Sequence, residues 1–122
     1  LYLNFKEYMA VIVEVLKRSG YKVEPTDGCG IEGSGLKLNN IQYAEVWKHG
    51  IQQIIDVELA MNLHRCMRDN SIYRGMIITL GDFKPCTRLY CHKNVIECIN
   101  GDQLLAMCKA VRNTKATLQP AK

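Results

Sequence analysis

The sequence holds no apolar run approaching the roughly 20 residues of a membrane-spanning helix, so no segment reads as one. It shows no secretory signal pattern, with its charged start, short apolar core and small-residue cleavage site. Although there are six cysteines, no C-x-x-C pair occurs, which removes the zinc-ribbon signature. No block of about five or six like charges appears, which argues against a disordered basic arm. Internal repeats and low-complexity stretches are missing too, so a solenoid is excluded. The chain also opens at Leu1 rather than Met, and we expect a domain of a longer protein, whose remainder could carry targeting information.

What is present fits one domain. The 122 residues are 48% hydrophobic, enough for a core, and 23% charged. The net charge of +4 is compatible with a polyanionic partner. Cys86, Cys91 and His92 are conceivable metal ligands, but their spacing matches no known motif. Four of the cysteines sit in apolar segments, where a free thiol behaves as a small hydrophobe. Reduced thiols and a cytoplasmic location are therefore the expectation, with a longer protein that could still be membrane-tethered.

Hydrophobic periodicity orders the chain. Residues 4–18 read as a helix capped by Asn4, with Phe5, Tyr8, Met9, Ile12, Val15 and Leu16 on one face and Gly20 ending it. "YKVEP" alternates as a strand. The four glycines of "TDGCGIEGSG" form a turn leading into "IEGSGLKL", which pairs with "IQYAEVW" through a hairpin at Asn39-Asn40. Residues 50–68 read as a long helix. "YRGMIITL" is the continuous apolar run of a strand buried on both faces, and Asp82 is expected to cap a helix through about residue 91. "NVIECI" is another strand, and Asp102 is expected to cap the final helix. The order is α-β-β-β-α-β-α-β-α, an α/β fold with a mixed sheet and helices on both faces. The domain is placed at residues 1–112, with a frayed tail over 113–122.

Five phrases, in this order, resemble the Mrr-type restriction endonuclease domain of the PD-(D/E)xK nuclease superfamily. "FKEYMAVIVEVLKRSGYKVE" is similar to its opening helix and strand entry, "GCGIEG" to its D-G-G-I-D-G turn, and "YAEVWK" to its Q-x-K-R-W-K strand. "GMIITLGDF" resembles its later strand and T-x-G-x-F turn, and "INGDQLL" its closing D-G-x-x-L. The resemblance covers residues 3–108 and implies the restriction-endonuclease-like fold.

It also implies roles. In that family an acid on the second strand and the acid or amide of the third hold Mg²⁺ against the scissile phosphate, and a lysine two residues on stabilises the attacking hydroxide and the developing charge. The first aspartate of the turn falls on Gly28, which offers no ligand, and the main metal aspartate on Glu32. With Trp47 as anchor, the family glutamine falls on Tyr43 and the lysine on Glu45. A second register, starting from Gln42, puts Ala44 at the lysine position. Neither register supplies a lysine, and a glutamate there would repel hydroxide and phosphate. Lys37, on the preceding strand, and Lys48, just past Trp47, are the candidates for a migrated lysine, and Glu32 with Glu45 for a metal pair.

The expectation is therefore a catalytically degenerate domain without a cofactor, binding DNA through Lys37, Lys48, Lys84 and Arg88. One alternative is an active, Mg²⁺-dependent endonuclease. Another is an assembly module, as a homodimer or through a protein partner, using the fold as scaffold. Trp47 is expected to pack against the long helix rather than stack on bases. His49 and His64 are expected in surface or capping roles.

Overall fold

The first helix, α1 (Phe5–Arg18), starts where its capping signals stand. The Asn4 side chain accepts from Glu7 N–H at 2.8 Å, and Glu7 accepts from Asn4 N–H at 3.0 Å. It ends at Ser19, with Gly20 at φ 104°. Strand β1 (Val23–Pro25) follows, then β2 (Gly35–Leu38) and β3 (Gln42–Val46). The computed structural model describes residues 4–26, 35–47 and 54–118. Between β2 and β3, Asn39 and Asn40 take φ of 55° and 61°, and Ile41 N–H closes the turn on the Leu38 carbonyl at 3.0 Å.

The remaining elements are β4 (Ile54–Ile55), α2 (Val57–Asp69), β5 (Arg74–Ile78), β6 (Asp82–Phe83), α3 (Pro85–Lys93), β7 (Ile96–Ile99) and α4 (Gly101–Leu118). The main sheet has five strands in the order β1-β2-β3-β5-β7. β1, β2 and β3 run antiparallel, while β3, β5 and β7 are parallel, so the sheet is mixed. β5 lies inside the sheet between β3 and β7, and Gly75, Met76, Ile77 and Ile78 are all buried, as its unbroken apolar run implies.

Each sheet face carries its own core. On one, Leu36, Leu38, Ala44, Val46, Met76 and Ile78 pack against Tyr8, Ile12 and Leu16 of α1 and Leu104 of α4. On the other, Tyr43, Ile77 and Ile96 pack with Ala60, Leu63 and Met67 of α2, Cys91 of α3, and Ile55 and Phe83. The expected α/β fold, with a mixed sheet covered by helices on both faces, is what forms.

Three helix starts differ from the sequence reading. The long helix begins at Val57 rather than near residue 50, because Asp56 takes the cap and Ile54–Ile55 pairs with Asp82–Phe83 as a second, two-stranded sheet. Asp82 therefore does not cap α3; Lys84 precedes it and Pro85 occupies its first turn, where a missing N–H is harmless. For α4, the cap is a reciprocal pair between Asn100 and Gln103, both bonds at 2.9 Å, and Asp102 sits in the first turn instead. The α4 backbone runs to Leu118, past residue 112.

Candidate functional site

Strand pairing fixes which β2 and β3 side chains share a face. Lys37 pairs with Tyr43, and Gly35 with Glu45, so these four lie on the α2/α3 side of the sheet. Gln42 pairs with Leu38 and Ala44 with Leu36, which places them on the α1/α4 side. The two registers weighed from sequence thus point to opposite faces. Only the Tyr43/Glu45 register shares its face with a strand lysine: Lys37 is the diagonal neighbour of Glu45, about 7–8 Å away by strand geometry.

Glu45 is enclosed, with 2% of its surface exposed. It stands beside Ile77 of β5, under the cluster that α2 contributes to. A carboxylate so placed is a structural member of the sheet, closed to a phosphate or a hydrated cation. Gln42 is equally buried and committed: its side-chain amide donates to the Gly75 carbonyl at 2.9 Å and to Glu97 at 3.0 Å. Trp47 is half-buried against the α2 cluster, as expected.

The other sequence candidates scatter. Gly28, Glu32, Lys48 and His49 lie outside the described residues. Lys84 meets Asp56 at 3.2 Å and Arg88 meets Asp82 at 2.7 Å, both as exposed pairs. The Asp56 carboxyl is held below its usual range by the Val57 N–H and then by Lys84. The Asp82 carboxyl is held down by Arg88 first, then by the Phe83 N–H and the Asn100 amide. His64 meets the Tyr90 hydroxyl at 3.1 Å, a packing contact between α2 and α3. Lys37 is therefore the one described basic candidate on the Glu45 face of the β2–β3 hairpin.

A Mg²⁺ ion prefers several oxygen ligands, water among them. Among the described residues, no three His, Cys, Asp or Glu side chains converge on a common point. Glu45 is closed to water, so the residues described do not form a magnesium cage. Cys86, Cys91 and His92 do not meet as ligands either: Cys91 is buried in the core while Cys86 and His92 are exposed.

Two groupings escaped the sequence reading. Asp82 gathers the Phe83 N–H, Arg88 and Asn100 at 2.8, 2.7 and 3.2 Å, tying β6, α3 and the start of α4 together. The "GDF" turn marked the place, but reading Asp82 as a helix cap hid the network. The second is Cys91 with Cys98, which line one side of a groove of about 580 Å³ along β7 with Gln42, Arg74, Arg88 and His92. Their seven-residue separation crosses a helix end and a turn, and no local motif marks it. Among the described cysteines, Cys66 is disulfide-bonded, against the all-reduced expectation, whereas Cys86, Cys91, Cys98 and Cys108 are free. Spacing alone could not show which cysteines meet.

No helix among the described residues is long and apolar enough to cross a membrane. No curated protein and no solved structure matches the chain significantly. A family model does, described as the Mrr_cat restriction endonuclease and matching residues 3–108. With that match spanning nearly the whole chain, and with the mixed sheet and its flanking helices in place, the protein belongs to the Mrr-type restriction endonuclease family.

Proposed function

We propose that this domain binds duplex DNA on the nuclease scaffold without cutting it. The observation that carries the reading is Glu45, an acid at the position of the family lysine, 2% exposed and on the same face as Lys37. Phosphodiester cleavage needs positive charge where negative charge develops. A buried carboxylate supplies the opposite sign, and Lys37 is set off by one diagonal step. Glu32 and Lys48 complete the proposed remnant of the site, with Glu32 and Glu45 as its former metal pair.

Binding needs less than catalysis does. Lys37, Lys48, Lys84 and Arg88 are the proposed phosphate contacts. The ion pairs of Lys84 and Arg88 are exposed, and such pairs are worth only about 0–1 kcal/mol, so phosphate can compete for both side chains. Pairing of two copies on the two strands, and contact with a protein partner, belong to the same proposal, as does an intracellular setting in which DNA is at hand.

The test has two arms. A short duplex titrated at rising salt should bind with a log–log slope near −0.9 per phosphate contacted, about −3 to −4 for four contacts. No binding at low salt would sink the DNA reading and leave the assembly scaffold. In the second arm, supercoiled plasmid with Mg²⁺ or Mn²⁺ should stay intact over a long incubation. Nicking that disappears in Glu32→Ala would instead establish an active endonuclease.

A further inference from the structure

β7 is the last strand of the five-stranded sheet and pairs with β5 on one side only. Gly75 N–H bonds the Val95 carbonyl at 2.9 Å, and Thr79 N–H bonds the Ile99 carbonyl at 3.0 Å. In a parallel ladder the inward groups recur every second residue, so Val95, Glu97 and Ile99 turn their backbone groups to β5. Ile96 and Cys98 therefore turn their N–H donors and carbonyls away from the sheet, where no described strand meets them. Unpaired groups of this kind are a template for a further strand.

The groove of about 580 Å³ follows this edge. Arg74 and Glu97 line it from the α1/α4 side of the sheet, and Ile96, Cys98, Arg88 and His92 from the α3 side. A hollow confined to one face would not draw on both. Glu97 is held in place there, accepting from the buried Gln42 amide at 3.0 Å.

We propose that this edge accepts an extended segment of another protein, carrying carboxylates on alternate residues, as a sixth strand of the sheet. Main-chain amides supply donors and acceptors in alternation, which a phosphate backbone does not. Charge selects between partners. If a second copy used all the outward groups in a twofold antiparallel pair, Ile96 would face Cys98 of the other copy. Glu97 would then face its own counterpart, about 4.5 Å away between Cα atoms. Like charges directly opposite are destabilising, and the Gln42 bond keeps Glu97 from turning away.

A foreign strand avoids that clash. Its side chains alternate, one set beside Arg74 and Glu97, whose charges offset, and the other beside Arg88 and His92. Arg88 spends one Nη on Asp82 at 2.7 Å, in an exposed pair, and keeps further N–H donors for a carboxylate. Apolar side chains suit the first set, where Val95 is exposed, and carboxylates suit the second.

The site goes beyond the proposed DNA binding and does not rest on it. The probe is a blocked, fluorescently labelled heptapeptide alternating valine and glutamate, titrated into the native chain at pH 7 and followed by anisotropy. It should bind saturably, roughly tenfold tighter than the same peptide with lysine in place of glutamate. A proline at its centre should abolish binding, because the ladder loses a donor. Amide exchange followed by NMR should slow at Ile96 and Cys98 when the glutamate peptide is bound. Cys98→Pro removes an outward N–H and spares the ladder to β5, so it should keep its circular dichroism and lose the peptide. No binding of the glutamate peptide, equal binding of the proline peptide, or unslowed exchange at Ile96 and Cys98 overturns strand addition, and none of these results needs a variant to fold. Equal binding of the lysine peptide overturns the acidic partner. Exchange at the same two amides that slows in the free chain as its concentration rises assigns the edge to a second copy instead.

Discussion

Tyr8 shows how a single atom can be misplaced by an otherwise good fit. Its ring fills the α1 side of the core, but its hydroxyl is buried with no hydrogen-bond partner among the described residues. Burial pushes its ionisation up to about 12, so the group stays neutral and simply lacks a partner. An unsatisfied buried hydroxyl costs about 1–3 kcal/mol, hence Tyr8→Phe should be neutral or stabilising by up to about 1 kcal/mol in urea unfolding. A clear loss of stability would mean that the hydroxyl is satisfied after all. Gly101 makes the opposite case. A Cβ there would run into the backbone carbonyl of Leu80, where α4 begins against the preceding loop and Gly101 N–H bonds the Gly81 carbonyl at 3.0 Å. Gly101→Ala should cost about 1–3 kcal/mol. At Gly75 the nearest obstacle is the flexible end of Met67, 2.7 Å away, and Gly75→Ala should cost less than Gly101→Ala. Equal losses would contradict that ordering.

At the level of elements, the junctions are where stability is won or wasted. Val95 ends α3 in the left-handed region with a side chain 58% exposed, so it contributes strain and little packing. Left-handed backbone costs a residue with a Cβ about 1–2 kcal/mol, and Val95→Gly should recover much of that as a higher thermal midpoint. A lower midpoint would show that the valine packs more than its exposure implies. Asp82 ties three elements together, and its carboxyl is held below the usual value of 3.8 by Arg88, the Phe83 N–H and Asn100. A depressed carboxyl adds stability that is complete above its ordinary value and is lost as the pH falls through the native one. Native protein should thus exceed Asp82→Asn by a constant margin from neutrality down to about pH 4, with the margin shrinking below that. A margin independent of pH throughout the acid limb would assign the difference to packing.

These same junctions separate what could be read locally from what could not. The Asn4–Glu7 cap and the Asn39-Asn40 turn were legible because each signal lies within three or four residues of the backbone groups it satisfies. The start of α2 was not. Ile54 and Ile55 fit a helical pattern, but the Ile55 carbonyl accepts from the Thr87 hydroxyl at 2.9 Å and from Lys84 N–H at 3.2 Å. Those partners lie about thirty residues along the chain, and they hold the segment extended.

For the whole molecule, the relevant balance is between a weak positive field and a buried carboxylate at Glu45. The net charge of +4 is enough to bring a polyanion near, not to choose one, so affinity should rest on a few phosphate contacts and fall steeply with salt. The helix layers leave one sheet face to α1 and α4 and the other to α2 and α3, and it is the second that carries Lys37 and Glu45.

By itself the sequence determined the mixed sheet, its flanking helices and the family, though not the short strands β4 and β6, because periodicity, caps and turn residues act over a few residues and recur in a fixed order. The family resemblance added the expectation that Glu45 or Ala44, and no lysine, stands at the family's lysine position. Only the tertiary structure decided that Glu45 is sealed in the sheet, and that Lys37 shares its face while Gln42 does not. Those outcomes depend on strand register and on which helix covers which face. Register and coverage are set by burial summed over the whole fold, which no short stretch of chain encodes.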